Sequence, residues 1–120
     1  MREAKATSKT FRAVLSGTGF QGRAAVIRRF GAIGSAARLV REPDNKHDAN
    51  AIRVDLECTI LFGLLRPYRH IGYIAASRAS RLAPKIDSGA MEVLSASIVN
   101  MYAPPGQLFP DVTIEVKVKA

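Results

Sequence analysis

The residues best suited to chemistry lie in a short polar segment between two apolar ones. Asn45, His47 and Asp48 fall within Pro43–Asp48, whose composition is typical of a turn. Asn and Asp side chains hydrogen-bond to nearby backbone and make such a loop rigid. A carboxylate also accepts a hydrogen bond from a hydroxyl group, and the ring of His47 can stack on a planar ligand. The segment therefore predicts a rigid loop that binds a ligand through a carboxylate and a ring.

Aromatic and cationic side chains elsewhere could complete such a site. Aromatic rings bind nucleic-acid bases by stacking, which contributes roughly 1–3 kcal/mol per base. Cations supply contacts to phosphate. The aromatic candidates are Phe20, Tyr73 and Phe109. The cationic candidates are Arg41 and Arg53, on the strands beside the loop, and Arg78, Arg81 and Lys85, which share one face of a predicted helix.

The charge of the chain favours an anionic ligand. Lys and Arg number 18 against 10 Asp and Glu, which gives a net charge of +8. Such a charge raises the local concentration of anions, and nucleic acid is the usual partner of a small basic domain. The single cysteine, Cys58, excludes an internal disulfide and a zinc site built from cysteines.

No catalytic arrangement is recognisable in the sequence. An enzyme needs an acid–base pair, an activated nucleophile or a metal cluster. The only candidate metal ligands close in sequence, Asp44, His47 and Asp48, match no metal-binding loop. We therefore expect a binding module without cofactor or metal. The polar N-terminus and the lack of an apolar run of about 20 residues predict a cytoplasmic protein, nucleoid-associated if bacterial, without contact to a membrane.

Hydrophobic periodicity predicts one domain that is mainly β with two short helices. Ile52, Val54 and Leu56 alternate with charged residues, a pattern typical of a half-buried strand. Many short strands joined by turns favour a small antiparallel barrel or sandwich. The predicted strands cover 11–16, 37–41, 51–57, 70–74, 92–102 and 112–118, and the predicted helices cover 22–30 and 77–87.

Four local expectations accompany these elements. Residues 1–10 form a disordered tail, which leaves the domain at 11–119. Ser77 caps the second helix, because serine is a favoured N-cap residue. Pro84 kinks that helix or divides it. The apolar residues Thr59–Leu65 extend the sheet as a hairpin.

Two other functions remain open. Gly17–Gly22 spells G-x-G-x-x-G, and Glu42 follows 20 residues later, as in a dinucleotide-binding unit. The short helix after it, and the two antiparallel strands that end the chain, count against this interpretation. The apolar hairpin at 58–65 instead favours a protein-interaction module, including a homodimer.

Three segments in sequence resemble the HIRAN domain. They are LVREPDNKHDANAIRV at 39–54, HIGYI at 70–74 and LAPKIDSG at 82–89. The family pattern runs roughly L-x-R-E-P-x-N-x-x-D-x-N-A-I-x-V, then I-G-Y-I, then L-A-x-x-[LI]-D-x-G, and the likeness covers about residues 12–118. The resemblance implies an OB-like β-barrel with two helices. It also implies a stand-alone bacterial or phage-type member that binds DNA, with a helicase or nuclease as partner.

The resemblance assigns roles to individual residues. Phe20 and His47 occupy the places of the two aromatic residues that hold a terminal base. Asp48 matches the carboxylate that contacts a terminal 3′-hydroxyl. Phe109 corresponds to a further aromatic residue before the last strand, and Tyr73 lies in a strand that approaches the nucleic acid. These matches imply binding of single-stranded DNA at its 3′-hydroxyl end, in DNA repair or processing.

Three features depart from the helicase-linked members of that family. Those members have arginine where this chain has Gly19, so one contact is missing. Their loop aromatic residue is usually tyrosine, and His47 stacks less well than tyrosine. The hairpin at about 58–69 is an atypical insertion. All three departures concern the preference for a 3′ end more than DNA binding itself.

Overall fold

The computed structural model describes residues 8–120, in which six strands and two helices follow one another. A single 3-10 turn, Leu61–Gly63, lies between the third and fourth strands. The elements are β1 (Ser8–Ser16), α1 (Arg23–Phe30), β2 (Ala36–Arg41), β3 (Ile52–Glu57), β4 (Tyr68–Ile74), α2 (Ala76–Asp87), β5 (Glu92–Tyr102) and β6 (Asp111–Lys119).

The strands form a closed barrel in the order β1-β4-β3-β2-β5-β6, and every neighbouring pair is antiparallel. Alternate residues of each strand fill the interior, as Val112, Ile114 and Val116 do on β6. Ile27 of α1 and Leu82 of α2 join this core. The predicted fold, a small β-barrel with two short helices, is confirmed. A dinucleotide-binding unit needs parallel strands, so that alternative is wrong.

Helix α2 begins one residue earlier than predicted and is continuous through Pro84. Ala75 is its N-cap residue and Ser77 lies inside the first turn, so the predicted cap is wrong. Pro84 lies within one continuous helix. Because Pro84 and Ser80 are both exposed, water can bind the Ser80 carbonyl that proline leaves without a donor. No helix in the described part of the chain is long and apolar enough to cross a membrane.

Strand β1 is longer than predicted. Ser8 pairs with Lys119 and Thr10 pairs with Lys117, so three residues assigned to the disordered tail belong to the barrel. They join it because β6 offers a pairing edge along its full length. The rest of the predicted tail, residues 1–7, lies outside the described residues.

The segment between β3 and β4 does not extend the sheet as predicted. Only Ile60 and Leu65 form a bridge, and the chain turns sharply between them. Leu61 and Phe62 both have positive φ angles, of 52° and 56°, which side chains other than glycine rarely adopt. The turn exposes four large apolar side chains, which we call the apolar tip: Leu61, Phe62, Leu64 and Leu65.

Candidate nucleic-acid interface

A pocket of about 550 Å³ lies where the end of β1, the turn after it, the β2–β3 loop and the start of α2 meet. We call it the loop pocket. A pocket of this size suits a small ligand such as one nucleotide. Five of the eleven residues predicted to bind the ligand line it: Phe20, Asn45, His47, Asp48 and Tyr73. The fold therefore brings together residues that are up to 53 positions apart, counted from Phe20 to Tyr73.

The β2–β3 loop is held rigid by its own side chains. Oδ1 of Asn45 accepts hydrogen bonds from the backbone N–H of His47 at 2.8 Å and of Asp48 at 3.1 Å. Oδ1 of Asp48 accepts one from the backbone N–H of Asn50 at 2.9 Å. The other oxygen of Asp48, Oδ2, makes no hydrogen bond to any of residues 8–120. One half of this carboxylate therefore braces the loop, and the other half remains available to a ligand.

Phe20 and Phe109 form an aromatic pair at the edge of the pocket. Their ring centroids are 5.2 Å apart and the rings are nearly perpendicular, at 77°. The pair depends on Gly19, since a Cβ atom there would lie 2.2 Å from the carbonyl oxygen of Leu108 and 2.9 Å from Phe109. The loop that carries Phe109 packs directly on this glycine, and no larger residue fits. Phe20 is nevertheless 57% exposed, which leaves a surface for stacking.

Glu42 joins the loop to the neighbouring strands. Its carboxylate accepts hydrogen bonds from Nδ2 of Asn45 at 3.0 Å, the hydroxyl of Tyr73 at 2.9 Å and Nη1 of Arg53 at 3.2 Å. Burial by itself would raise the pKa of Glu42, but the hydrogen bonds and the charge of Arg53 together lower it. Burial and the contact to Glu42 raise the pKa of the Tyr73 phenol. Glu42 therefore stays ionised and fixes both Tyr73 and the loop.

The family assignment follows from the comparison of the whole sequence with known families. The profile of the HIRAN domain matches residues 9–119. This chain belongs to the HIRAN domain family. HIRAN domains are generally DNA-binding modules.

Two solved structures share this fold. The HIRAN domain of human HLTF is 18% identical, with a TM-score of 0.60 over 92% of this chain and 76% of that one. A protein from Lactobacillus plantarum solved by structural genomics is also 18% identical, with a TM-score of 0.63 over 92% of this chain and 98% of that one. A search of curated protein sequences found no match. At this identity the likeness concerns the fold alone.

Two predicted cations of this HIRAN domain hold the loop rather than project from it. The guanidinium of Arg41 donates to both carboxylate oxygens of Asp87, at 2.8 and 2.9 Å, and to the carbonyls of Ala49 and Ala51. That of Arg53 donates to Asp55 and Glu42. Their donors are thus engaged within the domain, and neither residue lines the loop pocket.

The predicted cationic face of α2 lies outside the loop pocket. Arg78 donates to the carbonyl of Arg12 at 2.6 Å, and its guanidinium lies 5.0 Å from the ring centroid of Phe11. Arg81 and Lys85 are exposed. Ala76 is the residue of α2 that lines the pocket. Contacts from these three cations would therefore require DNA that extends beyond the pocket.

Arg23 is the cation that the sequence analysis missed. It is the first residue of α1 and lines the loop pocket, with its guanidinium 5.4 Å from the ring centroid of Tyr73. Nη1 donates to the carbonyl of Gly17 at 2.9 Å, which orients the side chain. Position 23 follows the glycine-rich turn, but α1 also carries Arg28 and Arg29. Only the fold shows which of the three reaches the pocket.

Replacing Glu42 by glutamine is expected to lower the free energy of unfolding by about 1–3 kcal/mol at neutral pH, because three hydrogen bonds lose an ionised acceptor. Folding lowers the pKa of Glu42, so this stabilisation is present above the unfolded pKa and is lost as pH falls through the folded value. Urea unfolding at neutral and acid pH should show a difference between wild type and variant that shrinks in acid.

Glu115→Gln is the matched control for that experiment. Glu115 forms a surface pair with Arg12 at 3.5 Å, which we expect to add little to stability. If Glu42→Gln and Glu115→Gln lower the free energy of unfolding equally, Glu42 does not hold the loop pocket together.

Proposed function

We propose that this HIRAN domain binds single-stranded DNA and holds the 3′-hydroxyl end in the loop pocket. The observation that carries the proposal is the carboxylate of Asp48, which has one oxygen bonded to the loop and lines the pocket with the other available. Placing a carboxylate beside DNA is unfavourable unless it accepts a hydrogen bond. A terminal hydroxyl donates one, whereas a phosphodiester offers only acceptors and negative charge.

The rings around the pocket support binding of an unpaired base. Phe20 and His47 both line it, and both are exposed. Stacking on such rings tolerates any base, because every base has a π-face, but a base within a duplex is already stacked on its neighbours. A strand end with a free base is therefore the ligand that we favour, and Arg23, which also lines the pocket, is the cation proposed to contact its phosphate.

This function is that of a binding module that delivers or holds a DNA end. A helicase or a nuclease that acts in DNA repair or processing is the kind of partner enzyme that would use it. The chemistry of the pocket requires neither cofactor nor catalytic residue for this task.

A linear and a circular single strand of the same sequence distinguish end binding from binding along the strand. Fluorescence anisotropy competition should show that the linear strand displaces a labelled 3′-ended probe and that the circular strand displaces it much more weakly. If both displace it equally, the domain binds single strands without regard to their ends. If a duplex with blunt ends competes best, the single-strand proposal is wrong.

A further inference from the structure

Phe109 is carried by the segment between β5 and β6, residues 103–110, which we call the β5–β6 loop. Three residues of this loop are prolines, which have no backbone N–H to donate. Within the loop, the backbone N–H of Gln107 donates to the carbonyl of Pro104 at 3.2 Å. The position of the loop therefore depends on donors that other elements supply to its carbonyls.

Arg28 of α1 supplies such donors at the start of the loop. Its Nε donates to the carbonyl of Ala103 at 3.3 Å, and its Nη2 donates to the carbonyl of Pro104 at 3.0 Å and to that of Gln107. The side chain reaches the loop because α1 ends against Sδ of Met101, near the end of β5. One guanidinium therefore joins three carbonyls of the β5–β6 loop to α1.

The other end of the loop is attached to the turn that follows β1. The hydroxyl of Thr18, which is buried, donates to the carbonyl of Pro110 at 2.7 Å. Phe109 lies between this attachment and the contacts of Arg28, and there its ring meets the ring of Phe20. The aromatic pair at the edge of the loop pocket therefore depends on a loop that is held at both ends.

The contacts of Arg28 require the shape of arginine and not only its charge. Arg28 does not line the loop pocket, and it forms no ion pair within residues 8–120. Its partners are neutral carbonyls, which a planar guanidinium can bridge because its N–H groups point in fixed directions. The ammonium of a lysine is a compact point charge and cannot span three of them.

From these contacts we infer that Arg28 is a positioning residue for the DNA end, on which it acts through the β5–β6 loop and Phe109. Because the loop is held at both ends, Phe109 packs against Phe20 before DNA arrives, and the ring surface that receives the terminal base is already formed. A surface that is ordered in advance loses less entropy when it binds. This inference rests on the function proposed for the loop pocket.

Replacing Arg28 by alanine should weaken the binding of a 3′-ended single strand roughly three- to tenfold, because the loop must then be ordered during binding. Alanine favours a helix, so α1 should persist. Arg28→Lys keeps the charge but loses the bridge, so it should bind nearly as weakly as Arg28→Ala. Arg29→Ala is the matched control, since Arg29 is the next residue of α1, is exposed and donates to no carbonyl of the loop. Its affinity should stay within about twofold of wild type.

Anisotropy titrations of Arg28→Ala, Phe109→Ala and the double variant distinguish positioning from a direct contact with phosphate. If Arg28 acts through Phe109, adding Arg28→Ala to Phe109→Ala should weaken binding by no more than about twofold, and the salt dependence of the affinity should keep its slope. A phosphate contact would instead give the same loss with and without the ring of Phe109, and a slope reduced by about one. Arg28→Lys would then bind almost as well as wild type. That set of results would overturn the inference.

Amide hydrogen exchange of the free protein tests the loop without DNA. Arg28→Ala should speed up exchange at residues 106–109 and leave the strands of the barrel unchanged, whereas Arg29→Ala should change neither. Unchanged exchange in Arg28→Ala would overturn the inference alone, as would an affinity for DNA that falls in Phe109→Ala but not in Arg28→Ala. If exchange rises and neither variant alters the affinity for DNA, the function proposed for the loop pocket is wrong, and the positioning role of Arg28 fails with it.

Discussion

Replacing Phe20 by alanine is expected to weaken the binding of single-stranded DNA roughly 5- to 150-fold, the equivalent of one lost base stack. Phe20 lines the loop pocket and is 57% exposed, so its ring contributes more to the ligand than to the core. The edge-to-face contact with Phe109 is lost as well, which should cost about 0.5–1.5 kcal/mol of stability. Anisotropy titration measures the affinity, and thermal unfolding checks that the fold persists.

Tyr102→Ala is the matched control for this prediction. Tyr102 is an aromatic residue 62% exposed on β5 that does not line the loop pocket. Its removal should leave the affinity for DNA within about twofold of wild type, as surface substitutions remote from a site usually do. Equal affinities for wild type and Phe20→Ala would place the DNA elsewhere on the domain.

Replacing Asp48 by asparagine is expected to abolish most of the discrimination between 3′-hydroxyl and 3′-phosphate ends. The side-chain oxygen of asparagine can still accept the hydrogen bond from Asn50, so the loop should keep its shape. The negative charge is lost, and with it a charge-assisted bond worth about 1.5–3 kcal/mol. Affinity for the hydroxyl end should fall roughly tenfold or more, and the phosphate end should bind better because repulsion disappears.

The same variant distinguishes ligand binding from loop bracing. If Asp48 served only to hold the loop, the substitution would lower the melting temperature and weaken both ligands alike. Asn50→Ala is a useful companion, because it changes the loop while leaving the carboxylate of Asp48 and its backbone partner in place. Asn50→Ala should change the affinities for the two ends by the same factor.

The strands were predictable because their sequence patterns are strong. Ile52, Val54 and Leu56 alternate with charged residues, and β5 was predicted with its observed bounds, 92–102. The ends of other elements depended on tertiary partners. Ser8 belongs to β1 only because Lys119 lies opposite it, and Ala75 precedes α2 without any side-chain cap that a sequence could reveal.

The aromatic and polar residues of the site were easier to predict than its cations. The side chains of Asn45 and Asp48 accept hydrogen bonds from backbone N–H groups only two or three residues away. Such local bonds can be predicted from the spacing of the residues in the sequence. An arginine side chain is long, and its partner can lie anywhere in the chain. Arg41 donates to Asp87, 46 residues away. Its guanidinium is therefore engaged within the domain, although the sequence predicted that it would bind phosphate.

Gly19 illustrates a contact that only the fold explains. The sequence has Gly19 where the resemblance to helicase-linked members implies arginine. From the sequence alone, this glycine indicates that one contact to the nucleic acid is missing. In the structure this position faces the carbonyl of Leu108 at a distance that admits no side chain. Arg23 instead supplies a cation to the loop pocket, from the first turn of α1.

Recognition of a free 3′-hydroxyl can be measured as the difference in affinity of wild-type protein for two otherwise identical single strands. One strand ends in a 3′-hydroxyl and the other in a 3′-phosphate, and both are titrated at the same salt concentration, because the phosphate contribution depends on it. A hydroxyl donates a hydrogen bond to Asp48, whereas a phosphate is repelled by it. We expect the hydroxyl end to bind at least roughly tenfold more tightly than the phosphate end. Equal affinities would contradict it, even if both strands bind well.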